Sequence, residues 1–427
     1  MEYDVVVAGG GTAGCAAAYT AGKLGLKTLL IEKNIHLGGT ITSGLVIPVM
    51  KSGDNQVNTE FYDALIAELQ SVGGQVTYQN NRGWFNPELA KIALDRLMRK
   101  AGVEVLFGAE IQGVIQEDKS IKEVIIKQKI LSEHIDKLQN ALLVNIKARY
   151  IIDATGNCEI GKICNCEFLE NHELQPTSLR FIMSGINIDK FASWLKDFDT
   201  DRDITTIENI DGVTHLSTAY TWDTGKKWAL APLFEDAVEK GVLKDTDRNY
   251  FQVFTVAGMP DSIAFNCPRI VENNDYSTTL RLARESILRL SNFCKIYFPG
   301  FENAYISNIA DMLGVRVLNR IKGRYVYTIE DLKSGKKFEN PVVISNYPVD
   351  VHSKDKNKST LHKVQDYQLP IESLMSADIK NLFVAGRCLS ADFMAQGALR
   401  VQASCFSMGE GVAKYISEEV FSNNHFH

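Results

Sequence analysis

The chain has 427 residues, a formal net charge of −6 and 45% apolar residues. This composition is typical of a globular protein with a full core, and the length suits two or three domains, or one nucleotide-binding domain with an insertion. An acidic chain without a basic tract argues against general binding to nucleic acid or to anionic membranes.

Neither a leader peptide nor a membrane span is expected from the sequence. The first apolar run, residues 3–8, lacks a basic flank and continues into glycines, which is unlike a signal peptide. No stretch is long and apolar enough to cross a bilayer. We therefore expect a cytoplasmic protein whose eight cysteines are reduced thiols.

The first 32 residues predict a βαβ unit. Residues 3–8 are a β-branched run typical of a buried parallel strand, residues 15–24 are rich in alanine and predict a helix, and residues 27–32 predict a second strand. The turn after the first strand contains Gly9, Gly11 and Gly14 in a Gly-x-Gly-x-x-Gly pattern.

This glycine turn has the spacing of a dinucleotide-binding motif. Gly9 permits a tight turn, Gly11 allows a pyrophosphate to approach the backbone, and Gly14 lets the helix pack on the strand. The start of the helix, with Thr12 and Ala13, then offers free N–H groups to a phosphate. Glu32 ends the second strand, where an acidic side chain can bind a ribose hydroxyl.

The rest of the chain divides into an α/β part at both ends and a different domain between them. The middle part, residues 166–369, mixes strand-like pieces, helices and long loops, with its clearest helix at 278–296. Outside it, the patterns predict helices at 58–72, 86–101 (with Asn86 as N-cap) and 399–420; strands at 103–107, 150–154 and 382–385; and a small β-meander at 111–116, 121–126 and 142–150.

Four segments carry a resemblance to a known family. They are residues 32–40, with Lys33, Gly38, Gly39 and Thr40; residues 153–156, Asp-Ala-Thr-Gly; residues 381–387, which end in Gly386 and Arg387; and residues 397–401, Gly-Ala-Leu-Arg-Val. Together with the glycine turn they resemble FAD-dependent oxidoreductases of the glutathione-reductase-like fold. Within that fold, the chain is most similar to the branch distantly related to fumarate reductase and succinate dehydrogenase flavoproteins.

The resemblance implies noncovalently bound FAD and a fold in two parts. A three-layer, Rossmann-like FAD-binding domain with a parallel sheet and a β-meander would comprise residues 1–165 and 370–427, with an inserted α+β substrate domain at 166–369. Arg400, near a helix N-terminus, would stabilise negative charge on reduced flavin. The expected cofactor-binding residues are Gly9, Gly11, Thr12, Ala13, Gly14, Glu32, Lys33, Gly38, Gly39, Thr40, Ile111, Ala154, Thr155, Gly156, Gly386, Arg387, Gly397, Leu399, Arg400 and Val401.

Three residues are the candidate catalytic groups. Arg316 and Arg320 lie in segments that resemble an arginine-rich motif of the branch, and on a helix their spacing of four would place both guanidinium groups on one face, where they could grip a carboxylate. His352, in a second motif of the branch, could act as acid or base near neutral pH. An ordinary structural role is the alternative for each of the three, and Arg180 and Arg269 are weaker candidates.

Cysteine spacing argues against a metal site and against one class of flavoenzyme. Cys158, Cys164 and Cys166 form no CxxC pair and fit small buried residues packed near the cofactor. Residues 41–50 contain no cysteine, and no second Gly-x-Gly-x-x-Gly occurs, so a disulfide reductase is not expected. The absence of an Asp-Gly pair near Asp153 also argues against an aromatic hydroxylase.

The sequence therefore predicts hydride transfer between flavin N5 and an unidentified small molecule, for which a carboxylate group is favoured. Expected partners are that substrate and an electron donor or acceptor, and neither nucleic acid nor a membrane. Two alternatives stay open, a flavoprotein that only carries electrons and a flavoenzyme that modifies RNA. The substrate, the direction of electron flow and the oligomeric state are not determined by the sequence.

Overall fold

The computed structural model describes residues 2–129, 141–170, 175–220, 228–271, 275–351, 360–362 and 364–424. The helices are α1 (Thr12–Lys23), α2 (Glu60–Ser71), α3 (Pro87–Lys100), α4 (Glu159–Ile163), α5 (Ile188–Phe198), α6 (Ala231–Glu239), α7 (Tyr276–Tyr297), α8 (Ile329–Ser334), α9 (Phe393–Leu399) and α10 (Gln402–Asn424). The strands are β1 (Glu2–Ala8), β2 (Thr28–Glu32), β3 (Gln75–Tyr78), β4 (Asn81–Phe85), β5 (Glu104–Phe107), β6 (Ala109–Glu117), β7 (Ser120–Lys129), β8 (Ala141–Asp153), β9 (Thr177–Ser178), β10 (Phe181–Ser184), β11 (Thr206–Ile210), β12 (Val213–Tyr220), β13 (Phe251–Val256), β14 (Met259–Phe265), β15 (Arg269–Ile270), β16 (Tyr305–Ile309), β17 (Pro341–Ser345), β18 (Val349–Val351), β19 (Thr360–His362), β20 (Tyr367–Pro370) and β21 (Leu382–Val384).

Apolar strands from both ends of the chain build one parallel sheet. β1 lies between β2 and β8, with Val7 beside Leu30 on one edge and Ile152 on the other. β5 extends the sheet beyond β2, and β21 joins it beyond β8. These strands read as continuous apolar runs because both faces of a parallel sheet are covered. The predicted βαβ unit and the α/β class are thus confirmed.

β8 serves two parts of the fold. Its first half pairs antiparallel with β7, and its second half pairs in parallel with β1 and, at the end, with β21. The prediction of two strands, at 142–150 and 150–154, was wrong, because one extended strand spans both. β7 and β21 lie one after the other along the same edge of β8, so β8 changes its partner strand without a turn.

The α/β part has three layers. α1 covers one face of the parallel sheet, with α3 and α10 packed against it. The meander of β6, β7 and β8 folds over the other face, since β6 contacts β2 although three strands separate them in the sheet order. This arrangement places the carboxyl ends of β1, β8 and β21 next to the start of α1.

A second, antiparallel sheet forms the middle of the chain. Its order is β11-β12-β13-β14-β10-β16, and α5 packs on it. An aromatic core joins sheet and helices, with Phe234 of α6 and Phe293 of α7 packed 4.3 Å apart between ring centres. The predicted domain boundaries at 166 and 369 stay a prediction, because bridges from Gly323 to Ser376 and from Tyr327 to Ala391 connect the two parts.

The end of the chain contains two helices where one was predicted. Residues 397–401 do not open the final helix: α9 ends at Leu399, and α10 begins at Gln402. The side chain of Asp392 caps α9 by accepting a hydrogen bond from the backbone N–H of Ala395 at 2.7 Å. The break at Arg400 and Val401 creates a new helix start, where first-turn N–H groups lack intrahelical partners.

No helix among the described residues is long and apolar enough to span a bilayer.

The packing of α10 on α1 depends on a contact between backbones. A Cβ atom at Gly409 would lie 2.1 Å from the carbonyl oxygen of Ala13 and 2.9 Å from the backbone nitrogen of Ala17. No side chain fits there unless the helices separate. We therefore expect Gly409→Ala to lower the free energy of unfolding by about 1–3 kcal/mol, measured by urea denaturation.

The matched control is Gly113→Ala on β6, where an added Cβ would meet Ile125 at an ordinary 3.4 Å. It should change the free energy of unfolding by less than about 0.5 kcal/mol. Equal stability of the two variants would show that the helix crossing tolerates a side chain.

Candidate functional site

The glycine turn leaves the N-terminus of α1 open. Gly9 has a φ of +93°, and a Cβ there would lie 2.7 Å from the carbonyl oxygen of Ala154, so only glycine fits. Gly11 is the N-cap of α1 with no side-chain cap, and no atom lies within 4 Å of the position its Cβ would take. Free N–H groups beside open space suit a phosphate. Thr12, Ala13 and Gly14 form the first turn of the helix.

A second backbone segment closes one side of this turn. Gly38 pairs with Gly11, and its N–H donates to the carbonyl oxygen of Gly10 at 2.8 Å. Beside them, the hydroxyl groups of Thr12 and Thr40 lie 3.0 Å apart. The three predicted residues Gly38, Gly39 and Thr40 are therefore brought to the start of α1.

Glu32 lies below the glycine turn and is buried. Its carboxylate accepts hydrogen bonds from the backbone N–H groups of Gly10 and Asn34, each at 2.8 Å. The side chain thus fixes the turn to the end of β2. Lys33, by contrast, is exposed.

The ends of two further strands complete the open space. Asp153 is fully buried, and its carboxylate holds the turn after β8 by accepting from the N–H of Thr155 at 3.1 Å and of Ile160 at 2.8 Å. Burial raises the pKa of this carboxyl group. Gly156 then lies against the guanidinium group of Arg387, which also donates to the carbonyl oxygen of Val315.

The other predicted cofactor residues occupy several places. Gly386 packs near Ala13, Ala154 follows β8, and Gly397 packs on Val351. Leu399 is buried at the end of α9, and Val401 joins α9 to α10. Ile111 lies in the meander on β6, paired with Ile126.

Four arginines, of which Arg269 is buried and the others are partly buried, meet in a group that we call the arginine cluster: Arg180, Arg269, Arg316 and Arg400. Arg269 on β15 stands opposite Ser178 of β9, and Ser178 bridges to Gly314. This pairing brings the loop with Arg316 to the β9–β15 ribbon, where the Arg316 side chain donates to the carbonyl oxygen of Pro176.

The other two arginines arrive from either side of this ribbon. Arg180 donates to the carbonyl oxygens of Leu45 and Ile47 at 3.4 and 3.3 Å, which ties the cluster to the segment after Gly38–Thr40. Arg400 reaches Gln175, immediately before β9, with an Nη2–Oε1 distance of 3.4 Å.

An acid and an aromatic ring contact the arginine cluster. Arg400 forms an ion pair with Asp350, with 3.3 Å between Nη2 and Oδ2. Arg269 lies over the ring of Tyr250, 3.3 Å from its centre, a favourable cation–π contact. Among the described residues, Asp350 is the one carboxylate in contact with the arginine cluster.

Burial and mutual repulsion make the arginine cluster electrostatically costly. Burial, the largest cause, lowers the pKa of Arg316 well below its usual range, and the charges of Arg269 and Arg400 lower it further. Burial likewise lowers the pKa of Arg180 to about 10. Arginine side chains keep their charge in proteins, so the cluster carries more positive charge than Asp350, its carboxylate contact among the described residues, can balance. Within the described part of the chain, the Nε atoms of Arg180 and Arg400 are buried and have no hydrogen-bond partner.

Arg320 is separate from the arginine cluster. Arg316 and Arg320 lie in an irregular loop, so the predicted shared helix face does not exist. Only 2% of Arg320 is exposed, and its guanidinium group donates to the carbonyl oxygens of Ala391 at 2.8 Å and Glu170 at 2.7 Å. These bonds hold backbone segments together, and the catalytic role of Arg320 stays a prediction.

Sequence reasoning missed part of this site, and one prediction falls outside it. His352 lies outside the described residues. Asp350, two residues earlier in the sequence, was not among the predicted site residues. Tyr250 and Gln175 carry no sequence signal. The pairing of β9 with β15 brings Gln175, just before β9, toward the arginines, and Tyr250 lies just before β13 and contacts Arg269.

The cysteines lie in the core, and all eight are buried and unpaired. Cys158 and Cys388 meet next to the predicted cofactor segments, where the backbone N–H of Cys158 donates to the sulfur of Cys388 at 3.0 Å. Among the described residues, no group of His, Cys, Asp and Glu side chains is arranged to hold a metal ion.

Comparison with known proteins identifies one family over nearly the whole chain. The family model described as FAD dependent oxidoreductase matches residues 4–420. The digeranylgeranylglycerophospholipid reductase of Thermoplasma acidophilum is 29% identical over 207 residues, which cover 44% of this chain and 48% of that protein. The thiamine thiazole synthase of Methanococcus vannielii is 30% identical over 165 residues, covering 37% of this chain and 57% of that protein. The matches thus span about half the length of these relatives.

One solved structure supports the fold. The p-nitrophenol 4-monooxygenase PnpA of Pseudomonas putida DLL-E4 aligns with a TM-score of 0.51 and 11% identity, over 99% of this chain and 81% of that one. At this identity the likeness concerns the fold alone.

The different surroundings of Arg316 and Arg320 lead to opposite expectations for stability. Arg320→Gln removes hydrogen bonds to the carbonyl groups of Ala391 and Glu170 and should lower the free energy of unfolding by about 3 kcal/mol. Arg316→Gln removes one of several like charges, so stability should stay within about 1 kcal/mol of the wild type or rise. Urea denaturation without added anions measures both, and a larger loss in Arg316→Gln would contradict the assignment.

Proposed function

Because this chain belongs to the FAD dependent oxidoreductase family, we propose that it transfers a hydride between flavin N5 and a small anionic molecule, with a carboxylate as the expected anionic group. FAD is the cofactor of the family, and the protein is an oxidoreductase. The observation that carries the proposal is the arginine cluster, whose charge exceeds that of Asp350, the carboxylate that the described part of the chain places in contact with it.

The open turn at the start of α1 fits the pyrophosphate of FAD. A phosphate there would meet the free N–H groups of the first turn and the positive end of the helix dipole, with space left by Gly11. Glu32 would accept from a ribose hydroxyl at the end of β2. Bound FAD supplies a two-electron acceptor or donor at N5.

The arginine cluster would bind and orient the substrate. Arg180 links it to the segment that continues from Gly38–Thr40, and Arg400 links it to the start of α10. A carboxylate placed among Arg316, Arg400 and Arg180 would relieve repulsion between guanidinium groups and accept charge-assisted hydrogen bonds. The burial of the cluster strengthens these interactions and excludes water from the bound substrate.

Three further parts of the proposal rest on motif resemblance. One is the relation to fumarate reductase and succinate dehydrogenase flavoproteins, and another is the role of His352 as an acid or base. The four predicted partners of the flavin at residues 397–401 would lie at the junction of α9 and α10.

Anaerobic titration of the FAD-loaded enzyme with hydroxy acids, dicarboxylates and amino acids tests the proposal. We expect one anionic compound to bleach the visible flavin band, or to restore it in chemically reduced enzyme, which gives the direction of electron flow. In Arg316→Gln the effect of that compound should be weaker by at least about 30-fold, because a charged hydrogen bond to the substrate is lost.

The matched control is Arg284→Gln, an exposed arginine on α7, which should behave like the wild type. If only uncharged compounds react, or if Arg316→Gln reacts normally, the cluster is not the substrate site. If no small molecule exchanges electrons with the flavin, the electron-carrier or RNA-modifying alternative replaces the proposal.

We also expect the FAD to be noncovalent. His36, which lies near the predicted flavin segment, is engaged by Ser43 at 2.8 Å between Nε2 and Oγ. Heat or acid denaturation should therefore release all flavin colour into the supernatant, as measured by absorbance after centrifugation. Colour that stays with the precipitated protein would contradict this expectation.

A further inference from the structure

Asp350 combines two features that its pairing with one arginine does not explain. It lies on β18, which packs so closely on α9 that a Cβ placed at Gly397 would lie 3.4 Å from the carbonyl oxygen of Asp350, so its backbone is fixed by the α/β part. Its side chain is 16% exposed and faces Arg400, which is 13% exposed. A carboxylate is thus held on a rigid support inside the region proposed for an anionic substrate.

Arg400 does not need this carboxylate for its position. Its Nη2 already donates to the backbone carbonyl of Asp350 at 2.7 Å and lies 3.4 Å from the amide oxygen of Gln175. The Asp350 carboxylate lies 3.3 Å from this Nη2, farther than the backbone carbonyl at 2.7 Å. What the carboxylate adds is chiefly negative charge.

The charge of Asp350 acts on the whole arginine cluster. It raises the pKa values of Arg269 and Arg316, which burial and the neighbouring guanidinium groups lower. Burial is the largest cause of the raised pKa of Tyr250 and of Tyr347, and the charge of Asp350 raises both further. A substrate anion bound among these side chains would be repelled by Asp350 in proportion to its own charge.

We infer that Asp350 is a specificity-determining residue, which limits the negative charge that the arginine cluster accepts. With Asp350 ionised, the site discriminates against anions of high charge that four arginines alone would bind most tightly. The inference rests on the proposed function, because it takes the arginine cluster as the substrate site. It adds that the substrate is selected by its charge as well as by its shape.

Asp350→Asn tests the inference in the FAD-loaded enzyme. The substitution keeps the side-chain volume and the backbone carbonyl that holds Arg400, and it removes one negative charge. The probes are acetate, succinate and propane-1,2,3-tricarboxylate at constant ionic strength, with binding followed by the perturbed absorbance of the bound flavin. We expect affinity to rise by about tenfold for each negative charge on the probe, so that the tricarboxylate gains most.

Two further variants separate charge from structure. Asp350→Glu keeps the charge and should restore the low affinity for the tricarboxylate. Asp197→Asn removes an exposed carboxylate on α5 and should leave all three affinities unchanged. Thermal unfolding without probes verifies that each variant is folded.

A charge-graded gain in Asp350→Asn supports the inference. An equal change for all three probes, or weaker binding of all of them, overturns it and makes Asp350 a structural partner of Arg400. The graded gain without any reactive compound would leave the inference standing while the proposed hydride transfer fails. A reactive anion together with an equal effect on all three probes would overturn the inference and leave the proposed hydride transfer standing.

Discussion

Backbone segments approach one another without intervening side chains around the start of α1, and the rest of the fold is arranged on this contact. Gly9 touches the carbonyl of Ala154 after β8, and Gly409 of α10 touches Ala13. Through these two contacts, strands from the beginning of the chain and a helix from its end meet at one point. A side chain at either glycine would separate the layers and close the space beside Gly11. The candidate phosphate site therefore exists because the packing there is between backbones.

The arginine cluster, in contrast to this close packing, is kept by the fold at a cost in stability. Four guanidinium groups are taken out of water, and burial together with mutual repulsion disfavours their charged forms. Such an arrangement lowers stability unless an anion binds, and residues of this kind are typical of binding sites rather than of folding cores. Arg320 shows the contrast. Its guanidinium group donates to two backbone carbonyl groups and lies outside the arginine cluster.

The two sites are mechanically connected. Arg180 holds the carbonyl groups of Leu45 and Ile47, which follow the segment packed on Gly11. Arg387 contacts Gly156 and donates to Val315, next to Arg316. Binding at the glycine turn and order in the arginine cluster should thus support each other, because they share these two side chains. Asp350 belongs to the same frame through the packing of β18 on α9.

Local patterns in the sequence determined the elements whose cause is local: the glycine turn, the N-cap of α3 by Asn86, the apolar runs of the parallel sheet, and the family. Tertiary structure decided what depends on contacts between distant residues. It made β8 one strand by giving it two successive neighbours on one edge, and it ended α9 at Leu399 before a second helix. It also placed Arg316 with Arg269 and Arg400 while directing Arg320 into the core. Spacing in the chain could not distinguish these two arginines, because a side chain's role follows from the charges and carbonyl groups that the fold brings around it.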